Sequence, residues 1–437
     1  MTQKMTKPGI YPCLEDFSVM PIKGGWSSVT RDTRAEKGLA PDFISDAHFK
    51  QLAESGLNVL NCYINYETDP DLVMKSMDLA HKYGLGYIVW DSWFMERFLS
   101  DDKPTMEEIA ERVENYRHHP AYCGIQILDE PTSENYRPNP KKNISKFVDL
   151  IHMLKEANVL NIQCILPLYD YHIEEMREKY KAYVREYCDS FQPEIFTFDH
   201  YPFINQGPQL ERFFWNMSVI REIAGEYGIP FGVTIQAGGQ WNDHCAHFDS
   251  IPYYPKEGQF YWNVNVCLAM GSKAMGYFPV VQPFHFSWAK TEKYDFKRNG
   301  FFGHDGRKNP WYYYAQNINK QIEVVDEVLM NAVSEGVIVN GAQAEKDLQT
   351  TNCLIKEKIY RELVEVEGNA LIGCFDYEGK TALYVVNYDM EASQKIGLRF
   401  QQSCNVHIIQ SAESRYDIAE ILEFDLSAGE GILIVVE

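Results

Sequence analysis

Two adjacent carboxylates, Asp129 and Glu130, stand directly before Pro131 in the run Tyr122 to Thr132, Y-C-G-I-Q-I-L-D-E-P-T. Carboxyl groups set close together can divide acid–base work. One protonates a leaving oxygen while another attacks, activates water or steadies a developing positive charge. Ile125, Ile127 and Leu128 give a short buried-strand run ahead of them. Pro131 lacks an amide hydrogen and keeps Glu130 out of the helical region, so the strand must stop there. Alternation places Gln126, Leu128 and Glu130 on one side of the strand and Ile125, Ile127 and Asp129 on the other. In a barrel, Glu130 would then point into the mouth. An Asp-Glu-Pro bend is also what an ordinary solvated turn looks like; its place after an apolar run, inside a repeating pattern, favours chemistry.

That pattern is an alternation of apolar runs with amphipathic segments. Strands are expected at Phe17 to Ile22, Leu57 to Ile64, Tyr87 to Trp90, the run before Asp129, Ile162 to Leu168, Ile195 to Phe198, Phe231 to Ile235 and Ala274 to Val281. Helices fill the intervals; the one at Thr105 to His118 opens with a Thr-x-x-Glu capping pattern. Eight such units predict an α/β fold, a (β/α)8 barrel spanning 1–333. A doubly wound open sheet is less well supported, because no glycine-rich phosphate turn follows the first strand. From about Ser334 the helical periodicity gives way to short alternating runs such as Leu371 to Phe375, Ala382 to Val386 and Ile396 to Phe400. A small C-terminal antiparallel β-sandwich is expected over 334–437.

Ligands of α/β sheets bind at the carboxyl ends of the strands. Those ends present Glu67, Asp91, Asp129 with Glu130, Asp170, Asp199 with His200 and Tyr201, Gln236 and Gln282. Trp90, Trp93, Tyr169, Trp241, Phe284 and Trp288 lie close by in sequence. A ring of acids and aromatics at one mouth suits glycosidic cleavage, with flat side chains stacking on sugar faces. The aromatic content of 14% fits that use, although many of these rings must be core. His200-Tyr201 reads equally well as a packed pair at the barrel rim.

The formal net charge of −21 disfavours nucleic acid and anionic membrane surfaces as partners. No apolar run is long enough to span a bilayer, and Met1 to Pro12 lacks the apolar centre of a signal peptide. The 10 cysteines are scattered without a C-x-x-C pair, so they are expected to be reduced and mostly buried in a cytoplasmic protein. His244, His247 and Asp249 fit no standard zinc spacing; no metal and no cofactor are expected. Asn216-Met217-Ser218 matches a glycosylation acceptor but sits inside an expected helix. The oligomeric state is not legible.

S-G-L-N-V (Ser55 to Val59), the fourteen residues His118 to Pro131, F-D-H-Y-P (Phe198 to Pro202), and G-H-D-G with the later W-Y-Y-Y-A-Q-N-I-N (Gly303 to Asn319) resemble barrel glycoside hydrolases. The clan in question contains beta-galactosidases, cellulases and beta-mannanases. The resemblance implies an acid/base glutamate ending the fourth strand, which matches Glu130, and a C-terminal β domain. Two positions depart from it. Asp129 stands where the clan usually has Asn, and Gln236 stands where the clan's nucleophile glutamate ends the seventh strand. Glutamine cannot form a glycosyl ester.

The expected activity is therefore hydrolysis of an O-glycosidic bond in a neutral glycoside or oligosaccharide, with Glu130 as general acid/base. Asp199 and Asp91 are the candidates for the second catalytic carboxylate. Trp93, Asp129, His200, Tyr201, Gln236, Trp241 and Trp288 are the expected substrate contacts. The adjacent Asp-Glu pair is also similar to barrels that cleave 2-acetamido sugars, where the substrate amide attacks, Asp orients it and Glu is the acid/base. A third reading, favoured by Gln236, is a degenerate barrel that binds carbohydrate without cleaving it.

Overall fold

The computed structural model describes residues 7–30, 35–38, 41–100, 102–159, 164–165, 171–239, 253–281, 299–410 and 413–437. Eight parallel strands form one sheet: β1 (Ile22–Thr30), β2 (Val59–Asn65), β3 (Gly86–Trp90), β4 (Tyr122–Gln126), β5 (Cys164–Ile165), β6 (Phe196–Asp199), β7 (Phe231–Gln236) and β8 (Met275–Phe278). Their order is β4-β3-β2-β1-β8-β7-β6-β5, so the first strand lies between the second and the eighth. That neighbourhood is what a closing barrel requires, and β4 and β5 are the two ends of the described ladder. Helices cross between consecutive strands and cover the outside. The helix Leu210–Tyr227, for example, buries Phe213, Phe214, Met217, Ile220 and Ile223 and stops at Gly228 in the left-handed region, φ 67.

The inside of the sheet is unusually polar. Lys23, Asn61, Gln126, Thr197, Thr234 and Gln236 are all buried. Lys23 and Thr234 both pair in register with Gly276, where a Cβ would meet Thr234 Oγ1 at 3.2 Å and Lys23 Cε at 3.7 Å. The missing side chain makes room for the lysine. Below this polar layer, Tyr11, Val59, Ile88, Cys123, Ile195 and Ala274 form an apolar floor, against which Ile10 and Leu14 pack.

Two expectations need correction. The first strand is not Phe17 to Ile22 but begins at Ile22 and runs on through Gly24 and Gly25, with a register shift between Gly24 and Val29. The glycine pair is strand because β1 passes close to β8: a Cβ on Gly25 would fall 2.2 Å from the Tyr277 carbonyl oxygen. The second concerns the cysteines. Cys13 and Cys123 form a disulfide, Cα to Cα 5.7 Å, that ties the N-terminal segment to β4. Cys62, Cys188, Cys267, Cys353, Cys374 and Cys404 are buried free thiols, as expected. A disulfide persists most readily in an oxidising compartment, so the expectation of a wholly reduced protein fails for this pair.

The C-terminal strands are β9 (Val333–Asn340), β10 (Leu363–Glu367), β11 (Ala370–Tyr377), β12 (Lys380–Asn387), β13 (Gln394–Gln410), β14 (Glu413–Leu426) and β15 (Gly431–Val436). They form a separate antiparallel sheet in the order β10-β13-β15-β12-β11-β9, with β14 against β13. The first part of β13 pairs with β10 and its last part with β15, and its pairing with β14 shifts register between Arg399 and Cys404. The sheet thereby folds over its own core of Ile338, Leu363, Ile372, Leu383, Ile396, Val406 and Ile434. Its opposite face, including Leu371, Tyr384 and Val386, joins the core of the barrel. Buried polar bonds fix the junction: Asn265 Nδ2 donates to Gly429 O at 2.8 Å and Tyr384 Oη donates to Asn265 Oδ1 at 2.8 Å. No helix among the described residues is long and apolar enough to cross a membrane.

The disulfide closes a loop of 110 residues, so Cys13→Ser should destabilise the protein by about 3–5 kcal/mol on loop-entropy grounds. Denaturant unfolding of variant and parent measures this. Recovery of Cys13 as a free thiol in an unreduced digest would show the bond to be absent.

Candidate active site

Strand β4 stops at Gln126, earlier than the apolar run suggests, and Ile127 and Leu128 continue as buried irregular backbone. Glu130 has φ 51. Pro131 does exclude the right-handed helical region, but the residue takes the left-handed rather than the extended alternative. Strand alternation therefore does not reach Glu130, and the turn itself aims the carboxyl. A left-handed non-glycine residue is strained unless its surroundings hold it there. Here Tyr183 Oη donates to Pro131 O at 2.6 Å, Thr132 N donates to Lys142 O at 2.8 Å, and Ile144 N donates to Thr132 O at 2.7 Å. That last pair of bonds brings Lys142 Nζ to 3.9 Å from Glu130 Oε2.

Asp129 is held from below. Gln126 Nε2 lies 3.4 Å from Asp129 Oδ1, and Asn61 Nδ2 donates to Gln126 Oε1. Asp199 ends β6, in register with Thr234, and therefore faces the barrel interior. Tyr201 donates to its carboxylate and lays its ring on Phe278, centroids 6.0 Å apart.

Electrostatics joins these three acids into one group. Burial pushes the Glu130 carboxyl up to about 7, with Asp129 adding to the rise and Lys142 and Arg137 opposing it. Burial, then Glu130 and Asp129, hold Asp199 well above the ordinary carboxylate range. Burial also raises Asp129, against Lys142 and Lys23. Acids crowded in this way share fewer negative charges than carboxyls, leaving a proton available at neutral pH. That is the arrangement from which acid and base roles are drawn.

The other expected site residues are placed differently. Asp91 is fully buried and accepts from Arg112 Nε at 2.8 Å and Nη2 at 2.9 Å, from Tyr116 Oη at 3.3 Å and from Trp93 N at 3.2 Å. It caps the helix Ser92–Leu99 and pairs with an arginine, a structural task that competes with the role expected of it as second carboxylate. Trp93 has the guanidinium carbons of Arg97 and Arg112 each 5.5 Å from its ring, which occupies it as a platform. His200 follows the inward Asp199 and so faces outward, edge-on to Phe213 and 3.3 Å from Asn216 Nδ2. Burial and Arg212 keep its imidazole neutral, and it packs at the rim of the barrel.

Gln236 does face inward, yet its amide is spent. Oε1 accepts from Phe203 N at 3.0 Å, while Nε2 donates to Phe203 O at 2.7 Å and Gly238 O at 3.1 Å. At 1% exposure it positions the backbone after Tyr201. Trp241 and Trp288, with Asp170, Gln282 and the His244–Asp249 group, lie outside the described residues. Lys23, Gln126 and Lys142 were absent from the expected site. A lysine between Ile22 and a glycine pair was the available signal for Lys23; Lys142 looks like ordinary loop charge.

No protein-family profile and no curated protein matches the sequence. Solved structures do match. A catalytic mutant of a GH42 beta-galactosidase from G. stearothermophilus superimposes with a TM-score of 0.58 at 9% identity, over 96% of this chain and 98% of that one. The fold of this chain is therefore similar to that of this beta-galactosidase. A beta-galactosidase from the psychrophilic Marinomonas ef1 (12% identity, TM-score 0.46) matches 76% of this chain, which spans 66% of that protein. A glycoside hydrolase family 30 subfamily 8 xylanase from Clostridium acetobutylicum matches 90% of this chain and 92% of its own at 11% identity and a TM-score of 0.43. The last two align too loosely to carry an argument, and at 9% the first is a likeness of fold alone.

The role of Gln236 is open to a direct check. Gln236→Glu should not supply a nucleophile. A carboxylate there would face the Phe203 and Gly238 carbonyls without donors, at a cost of roughly 1–3 kcal/mol. Thermal unfolding should register the loss, and a variant as stable as the parent with faster turnover would contradict this placement.

Proposed function

We propose that the protein hydrolyses the O-glycosidic bond of a neutral glycoside or oligosaccharide, with Glu130 as general acid/base and Asp199 as the second carboxylate. The supporting observation is the coupled group of Asp129, Glu130 and Asp199 at the carboxyl ends of β4 and β6, with the Glu130 carboxyl held near 7. An acid that is largely protonated just below neutral pH can deliver its proton to the leaving oxygen and recover it from water. Asp199 faces inward; in its ionised form, which Tyr201 favours against burial and the neighbouring acids, it can attack the sugar carbon or activate water, the role Gln236 cannot fill. Asp129, held by Gln126 and countered by Lys23, holds negative charge beside the developing oxocarbenium ion.

A second reading draws on the same Asp129. Its contiguity with Glu130 and its bond to Gln126 suit a substrate-assisted route, in which Asp129 would orient the acetamido group of a 2-acetamido sugar. A panel of chromogenic glycosides separates the two. Turnover of neutral glycosides without a 2-acetamido group supports the first, and turnover confined to 2-acetamido substrates supports the second. Binding without release of any chromophore would leave a carbohydrate-binding barrel.

Glu130→Gln should lower turnover on the order of 10²–10⁴-fold for substrates with poor leaving groups. Unchanged turnover would remove Glu130 from the mechanism. The pH dependence has a definite sign. Because the active form is protonated, kcat/KM should fall as pH rises through about 7. The folded protein holds this proton more tightly than the unfolded chain, where the group titrates near 4.5, so wild-type stability falls as pH rises from 4.5 through about 7. Glu130→Gln lacks that term and should gain stability relative to wild type above pH 7, the gain vanishing at the acid end; parallel Tm-versus-pH curves would contradict it.

A further inference from the structure

We infer that Lys142 is a positioning residue that sets the pH at which Glu130 exchanges its proton, an inference that rests on the reading of Glu130 as the acid/base. Lys142 Nζ is 3.9 Å from Glu130 Oε2, and the backbone that carries it is fixed. Thr132, two residues beyond Glu130, donates its amide to the Lys142 carbonyl at 2.8 Å and accepts from Ile144 N at 2.7 Å, closing a β-bridge between Thr132 and Asn143. Tyr183 holds the near side of this bridge through Pro131 O. On the far side, Asn143 Oδ1 accepts from Ser145 N at 3.0 Å. The loop thus returns Lys142 to the carboxyl that it left twelve residues earlier.

The charged groups that bear on Glu130, among the described residues, come from three places. Asp129 is in the same turn, Asp199 with Tyr201 closes in from the end of β6, and Lys142 and Arg137 reach back from the loop; Lys23 of β1 acts on Asp129. Burial and Asp129 favour the protonated form, and the two cations favour the anion. A group that must both give and take a proton works best when these tendencies balance near the working pH. Lys142 is carried by a backbone clamped by these bonds and lies at ion-pair distance from Glu130. Without it, Glu130 would keep its proton to higher pH, remaining a competent acid and becoming a poor base.

The test uses the full chain with Lys142→Gln and Lys142→Arg. The Glu130 carboxyl is titrated by carbon-detected NMR, assigned by its loss in Glu130→Gln, and pH–rate profiles are recorded beside it. Since the clamp uses the backbone of Lys142 and its side chain is about a third exposed, both variants should fold. Lys142→Gln should raise the Glu130 midpoint by roughly 0.5–1 unit, a range discounted for partial exposure, and Lys142→Arg should restore it to within about 0.3 unit. The alkaline limb of kcat/KM should move up by the same amount. A Glu130 midpoint that stays put in Lys142→Gln overturns the inference while leaving the glycosidase reading intact. A midpoint that moves in a protein without turnover of any glycoside supports the coupling and overturns that reading instead.

Discussion

Carboxyl groups repel one another, and a folded chain that brings three of them to one half-buried place must hold them there against that repulsion. Asp129, Glu130 and Asp199 are such a group, and much of the surrounding structure is explained by the need to hold it. Lys23 reaches up from the barrel interior, made possible by a glycine at position 276. Gln126 and Asn61 hold Asp129, Tyr201 holds Asp199, and a loop pinned by Thr132 returns Lys142 to Glu130. Even so, protons remain on the group at neutral pH, because the compensation is incomplete. The incompleteness is useful: a fully neutralised acid would have nothing to donate.

Such a group needs a rigid frame, since a displacement of an ångström would relieve the repulsion and disperse it. The frame is layered. The polar interior of the barrel stands on an apolar floor formed by the lower ends of the strands and the segment containing Tyr11, itself tied to β4 by the Cys13–Cys123 bond. β4 is also the strand that leads into Asp129 and Glu130. From outside, the C-terminal sheet braces the helices after β7 and β8 through Asn265, Gln321 and Tyr384. The left-handed backbone of Glu130 is thus one strained residue held by a large amount of unstrained structure.

The architecture was legible in the sequence because short apolar runs alternate with longer helical segments: the expected strand ends at Asp91, Asp199 and Gln236 are all at the ends of real strands. What the periodicity could not convey is the direction of a side chain once the strand has ended or when a partner claims it. Asp199 and His200 are neighbours, yet one faces the interior and the other the helix layer. Asp91 reads as an acid at a strand end, but Arg112, distant in sequence, neutralises it. Gly24 and Gly25 lie beyond the expected end of the first strand because the reason for them, the nearby Tyr277 carbonyl, lies on the last strand of the barrel. Glu130 was found for a reason that is half right: the proline does end the local structure, but the turn rather than the pleat directs the carboxyl.

Gln236 shows how these constraints meet. Its place at the end of β7 is where the resembled clan supplies its nucleophile, and a glutamine there invites the conclusion that catalysis is lost. Its hydrogen bonds give it a structural task instead. All of its polar atoms are used on Phe203 and Gly238, and Phe203 lies two residues beyond Tyr201, which steadies Asp199. The seventh strand therefore contributes to the site by fixing the backbone that presents the carboxylate of the sixth. A carboxylate at position 236 would be incompatible with that arrangement, since it would repel both Asp199 and the Phe203 carbonyl it now holds. The absence of a glutamate on β7 and the presence of an inward aspartate on β6 are two aspects of one arrangement, in which a neutral amide organises the loop and adds no further carboxyl to the crowded acids of β4 and β6.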